Sequence, residues 1–254
     1  MQQVNSIERL RDTIARLERA SQAASAPGVL PFGEAAIDAV LPAGGLALGA
    51  LHEVAGLGGF LQSGSAPALF AAGVLARLSG PVLWVLERAD VFAPGLAGAG
   101  LHPDRVIYAE AGRKQALLLM EEGLRHRGLA GVVGEVGGPI SLSASRRLQL
   151  AAEATGVMGV LLRRPLRESE LAGPVAAVTR WRIGPLPSPP PLPDAPEVPG
   201  LGPARWRLEL VRCRGGRTGS WITEACDASG HLRVVAALAD GSAATEGRRV
   251  GTAA

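Results

Sequence analysis

The sequence predicts an α/β fold: an open, mostly parallel β-sheet flanked by helices on both faces, finished by antiparallel strands. Three observations carry this expectation. Short continuous apolar runs, such as residues 81–86 and 130–135, suit parallel strands covered on both faces. The segments between them have helical length and end at Gly100, Gly128 and Gly156. Beyond residue 165 the helices stop, and strands alternating tryptophan with arginine take over. With 254 residues, the chain has room for one large core with appendages.

Element by element, residues 1–20 read as an amphipathic helix. Ile7, Leu10, Ile14 and Leu17 form a narrow apolar seam among charges, which must pack either on the chain's own core or on a partner. Residues 21–31 are rich in small side chains and read as a linker. The core is expected over 32–236. It begins with a short helix at 32–41 and a turn at 42–46, followed by a strand at 50–54, a Gly/Ser loop and a helix at 66–78. Strands follow at 82–86, 105–108, 130–135 and 157–163, with helices at 92–100, 113–127 and 143–155 between them. Strands at 175–183, 204–213, 217–226 and 231–236 have no intervening helix. Residues 184–203 contain nine prolines and are read as an extended loop inserted in a hairpin, with a partner-binding segment as the alternative. The tail, 237–254, is small and polar and is expected to be disordered.

The strand, Gly/Ser loop and Ala-rich helix at 50–78 have the layout of a phosphate-binding P-loop. Such a loop cradles phosphates on backbone N–H groups, while a Lys and a Ser/Thr hold the terminal phosphate and Mg²⁺. Here the glycines and serines are Gly56, Gly58, Gly59, Ser63, Gly64 and Ser65, and the chain's one lysine is Lys114, far outside the loop. Phe60 and Leu61 add bulk, and Pro67 removes an N–H near the helix start. The loop therefore reads as a degenerate nucleotide site, closer to a structural turn packed shut than to a phosphate cradle.

Other classes are excluded or weakened. No run approaches the 18 or so uninterrupted apolar residues of a membrane span, and the charged start is not a signal peptide. Cys213 and Cys226 are too few for a disulfide framework or zinc site and read as reduced thiols of a cytoplasmic protein. The four histidines are scattered, so no metal site is expected. Residues 163–217 hold ten arginines against five carboxylates. That bias points to a polyanion or acidic partner, or to solvated strand edges.

The ordered set of segments resembles the ImuA family of bacterial damage-inducible mutagenesis proteins, and more distantly the RecA-like core. The residues that carry the resemblance are Leu30-Pro31-Phe32-Gly33 with Ile37-Asp38, Pro42-Ala43-Gly44-Gly45-Leu46, His52-Glu53-Val54-Ala55-Gly56 and Gly80-Pro81-Val82-Leu83-Trp84. Ala93-Pro94-Gly95-Leu96, Glu121-Glu122-Gly123-Leu124-Arg125 and the block from Ser145 to Ala154 continue it, so that it covers about residues 28–235. The resemblance implies a non-catalytic accessory of the SOS response. Its expected partners are an ImuB-like inactive Y-family polymerase, RecA and an error-prone C-family polymerase, together forming a translesion mutasome. Family relatives with SulA likeness leave a cell-division inhibitor as one alternative, and a divergent ATPase using arginine for lysine is another.

By the same resemblance, Glu135 is the one candidate for the magnesium-holding carboxylate and Glu87 for the catalytic one, with Arg88 at that position under the alternative gap placement. Two carboxylates without the P-loop cations leave phosphate charge uncompensated, so no hydrolysis and no cofactor are expected. RecA-like recombinases bind DNA through loops that correspond here to 136–140 and 163–168. The candidate DNA contacts are Arg163, Arg164 and Arg167, with Arg182, Arg205 and Arg207 on the Trp/Arg strands. Because side chains alternate along a strand, Trp181, Trp206 and Trp221 share one face and their neighbouring arginines the other. The simplest arrangement puts the tryptophans in the core and the arginines in solvent. DNA binding would then be weak, salt-sensitive and indifferent to sequence.

Overall fold

The computed structural model describes residues 28–58, 63–164, 168–192 and 194–238. The N-terminal seam, Gly59, Arg167 and the tail beyond residue 238 lie outside these residues. A nine-stranded sheet forms the body. Its strands are β3 (Leu51–Gly56), β4 (Val82–Leu86), β5 (Val106–Glu110), β6 (Gly131–Gly137), β7 (Met158–Arg164), β8 (Thr179–Leu186), β9 (Arg205–Cys213), β10 (Gly219–Glu224) and β11 (Arg233–Leu238). They lie in the order β11-β10-β9-β8-β3-β7-β6-β4-β5. All pairings from β8 to β5 are parallel, and β9, β10 and β11 extend the sheet antiparallel. A separate pair, β1 (Val29–Leu30) with β2 (Leu46–Ala47), fastens the start of the described chain.

Helices cover both faces. α1 (Ala35–Asp38), α2 (Ala66–Ala76) and α3 (Ala93–Ala97) precede α4 (Arg113–Leu124) and α5 (Leu142–Thr155). Phe70 of α2 packs with Phe32, Trp84, Val160 and Trp181 in one core, and Met120 and Leu124 of α4 and Leu148 of α5 pack with Leu51, Val132 and Leu161 in the other. The two-residue period of the strands sorts side chains between these cores: Leu51 faces one and Val54 the other. α5 starts with Ser141, whose hydroxyl accepts from Ala144 N, and stops at Gly156 in the left-handed conformation.

The tryptophans occupy the interior. Trp84, Trp181, Trp206 and Trp221 are all buried. Trp181 contacts Phe32, Phe70 and Trp221 with ring centroids 5.4, 5.6 and 6.3 Å apart. This cluster ties the N-terminal segment and α2 to the strands β8 and β10, each ring pair adding about 1 kcal/mol beyond its buried area.

Several segments differ from the sequence expectation, and three of the differences have a local physical reason. β1 falls inside the segment read as a linker, where two ladder residues leave no periodic signal. The helix expected over 32–41 shrinks to α1 because the Asp38 carboxylate accepts from Phe32 N and Gly33 N at 2.7 and 3.0 Å, holding residues 32–33 outside the helix. β8 starts later than expected and runs into the proline segment as far as Leu186. Pairing of β8 with β3 ends at Ile183, so Pro185 lies where one side of the strand needs no donor.

A candidate ligand cleft and its buried ion network

The parallel strands end on one side of the sheet at the remnant of the P-loop. Gly56 closes β3, and a Cβ there would collide with the Ser63 side chain, so the turn requires glycine. Gly58 and Gly64 both adopt positive φ, 78° and 54°. Ser63, Gly64 and Ser65 lead into α2, whose first turn carries Pro67 and has no side-chain cap. The sequence favours a loop packed shut, yet a cleft of about 390 Å³ opens beside Gly56 and these residues. Its far wall is Asp90, Val91 and Phe92, and Arg163 and Arg164 line its floor. Most of the remaining lining is apolar, including Pro67, Leu69 and Leu96.

Beneath this cleft lies Glu135, fully buried in β6. Trp84 Nε1 donates to its Oε1 at 2.6 Å, and Arg164 Nη2 sits 2.6 Å from its Oε2. Arg164 also donates from Nη1 to Asp90 Oδ2 at 2.7 Å. Burial pushes the Glu135 carboxyl up to about 7, against the pull of Arg164 and Trp84. The Arg164 hydrogen bond holds the Asp90 carboxyl below its usual range. Both Glu135 oxygens therefore face a cationic or N–H donor, and no lysine stands in the loop. Glu135 is thereby engaged on both oxygens, as a carboxylate free to hold a magnesium ion would not be.

Glu87 ends near the same edge, its Oε2 accepting from Gly137 N at 3.1 Å. It borders a second hollow of about 340 Å³ with Arg88, Arg113, Arg164 and Glu170. Glu87 and Glu135 thus approach a common cation, Arg164, from neighbouring strands.

A second network lies on the opposite face of the sheet. Glu53, in the middle of β3, is fully buried. Arg163 Nη1 meets its Oε1 at 2.6 Å, and Arg180 Nε meets its Oε2. Arg163 further donates to the carbonyls of Gly138 and Glu170, at 2.5 and 3.2 Å. Arg163, a candidate DNA contact from the sequence, is only 3% exposed and spends its guanidinium inside the fold. Arg182 donates to Gly56 O at 2.9 Å, and Arg207 to Glu209 at 2.7 Å. Arg205 lies beside them at the start of β9, half-buried.

The structure thus gathers Gly56, Gly58, Ser63, Gly64, Ser65, Glu135 and Arg164 at one edge. It places Glu87 alongside and buries Arg163. Glu53, Asp90 and Arg180 take part in these networks although the sequence reading gave them no role. The signal was available: Glu53 interrupts an apolar strand buried on both faces, and such a charge demands a partner.

An α/β domain with this strand order, a Gly/Ser loop after its first central strand and a buried carboxylate near the end of β6 has the RecA-like fold. A solved structure of the RadB recombinase superposes on 80% of this chain and 98% of its own, with a TM-score of 0.53 and 17% identity, a likeness of fold. No family model matches the sequence. The chain is 47% identical over 240 residues to Protein ImuA from two strains of Caulobacter vibrioides, an alignment spanning 88% of this chain and 96% of the relative, and it belongs to the ImuA family. Among the described residues, no helix is long and apolar enough to cross a membrane.

Proposed function

We propose that this protein is a non-catalytic accessory of damage-related mutagenesis. It is an adaptor that works through protein contacts rather than through ATP chemistry. Family membership supports the accessory role. The observation that carries the non-catalytic part is the ion network under the cleft. Arg164, bridging Glu135 and Asp90, supplies internally the positive charge that a bound metal would otherwise bring. Phosphoryl transfer depends on positioned cations along the phosphate chain, and the loop has none to offer. The partners proposed are an ImuB-like inactive polymerase and RecA, within a translesion assembly that includes a C-family polymerase, in the cytoplasm.

One experiment tests the reading: co-purification of the tagged chain with an ImuB-like polymerase and RecA, with phosphate release measured on the same samples in the presence of DNA. The expectation is salt-resistant recovery of a partner, reduced when residues 1–20 are deleted, with no ATP turnover above background. Turnover that disappears in Glu135→Gln would establish a divergent ATPase instead. Recovery of neither partner would remove the adaptor role.

A further inference from the structure

Away from the cleft, a groove of about 410 Å³ runs between α5 and the segment preceding β8. One wall is a stripe of α5, where Leu142, Arg146 and Leu150 fall at successive four-residue steps and so share one face. Leu142 and Leu150 are 48% and 55% exposed on the outward side of this flanking helix. The other wall is Pro174, Val175 and Ala176, with Arg212 and Arg214 from the end of β9.

This groove is built rather than incidental. Ala176 N donates to Ser145 Oγ at 3.0 Å, which fastens the segment to α5. On its other side, Arg212 donates to Val175 O at 2.8 Å and Arg214 to Ala176 O at 2.9 Å. Both guanidiniums are thereby held at the rim, and neither meets a carboxylate among the described residues, nor does Arg146. Among the described residues, the one acidic side chain at the groove, Glu153, accepts from Gln149 at 2.8 Å. The rim is therefore cationic, the wall carries two exposed leucines, and the geometry is fixed before anything binds, which lowers the ordering cost of association.

We propose that this groove docks an acidic, leucine-bearing helical segment of a partner polypeptide. Charge complementarity selects acidic side chains opposite Arg146, Arg212 and Arg214, and the two leucines supply the apolar contact that a phosphate backbone would leave unused. Among the described residues, no aromatic side chain lines the groove, so they offer no platform for bases. The proposal gives a surface to the adaptor reading and rests on it only for the existence of a partner.

The test uses the full chain and two fluorescent helical peptides of about 14 residues, roughly four turns, identical in leucine spacing. One carries glutamates and the other lysines at the remaining exposed positions. The glutamate peptide should bind saturably and the lysine peptide should not. Arg146→Glu should weaken the glutamate peptide about tenfold and transfer preference to the lysine peptide, while Leu150→Asp should also weaken the glutamate peptide. Lys114→Glu changes net charge equally but lies at the exposed start of α4, so binding should be unaffected. No saturation by about 1 mM, the weakest affinity worth reading, overturns the proposal, as does equal loss in Lys114→Glu and Arg146→Glu. An oligonucleotide that displaces the peptide with the same Arg146 dependence would assign the groove to nucleic acid and overturn it too. Peptide binding without recovery of any partner would leave the groove intact and count against the adaptor reading alone.

Discussion

Glu53 is a carboxylate in the centre of a strand covered on both faces, a position where a lone charge is not tolerated. Arg163 and Arg180 resolve this by sharing it, and Arg163 carries the link onward to the carbonyls of Gly138 and Glu170. Removing one member leaves uncompensated charge in the core. Glu53→Gln should therefore lower unfolding free energy by about 3–5 kcal/mol in urea melts, the range for broken buried pairs. A loss under about 1 kcal/mol, typical of exposed pairs, would show that solvent reaches the network. Glu135 poses the reverse question. Burial raises its carboxyl from 4.5 to about 7, so the folded chain holds that proton more tightly than the unfolded chain does. The resulting stability is complete below about pH 4.5 and is lost as pH rises through about 7. Glu135→Gln stays neutral throughout. Relative to the wild type, the variant should gain roughly 3 kcal/mol between these two pH values, at about 1.4 kcal/mol per pKa unit. Urea unfolding of both proteins at each pH measures the difference, and a flat difference would mean that the carboxyl ionises in its ordinary range.

At the level of elements, most of the sheet was legible because its signals are local. Apolar runs of strand length, glycine stops and the Trp/Arg alternation locate β4, β6, β7, β9 and α5 without reference to neighbours. What the sequence could not show is which strands become adjacent. Glu53 and Arg163 lie on strands 110 residues apart in sequence, and the two-residue period says which face each side chain takes but not what it meets there. The open cleft was missed for a related reason: bulk at Phe60 and Leu61 says nothing about the space left between α2 and the Asp90–Phe92 turn. The proline segment, into which β8 runs as far as Leu186, supports a prediction of its own. Leu192 and Leu201 are 51% and 85% exposed, and Gly202 N bonds back to Pro189 O at 2.9 Å, so the loop closes on itself rather than on the core. Replacing residues 188–203 with a short Gly/Asp turn should leave the β8–β9 register intact. It should move Tm by no more than about 3 °C, since loop-closure entropy changes by only about 0.6 kcal/mol per halving of length. A fall of about 10 °C in a thermal scan would show that the segment contributes to the packed domain.

Across the whole molecule, the distribution of charge decides how much of the basic half is available to a polyanion. Residues 163–217 contain ten arginines against five carboxylates, which read from sequence alone suggests a strongly electropositive surface. The fold takes much of that charge inward. Arg163 and Arg180 are committed to Glu53, Arg164 to Glu135 and Asp90, and Arg207 to Glu209. A guanidinium engaged with a carboxylate must give up that partner before it neutralises a phosphate, so each such residue adds little to counterion release. The four tryptophans, buried in the core, offer no stacking surface either. Binding of a single-stranded oligonucleotide to the full chain should accordingly be confined to low ionic strength. Its slope of log K against log salt should be shallower than about −2, equivalent to about three phosphate contacts on a single strand. Fluorescence anisotropy between about 50 and 200 mM salt, the interval over which multi-contact binders lose most of their affinity, reads both quantities. A steeper slope, or affinity that persists at the upper salt, would mean that the arginines leave their internal partners for DNA. Nucleic-acid binding would then rank ahead of protein contacts as the work of this fold.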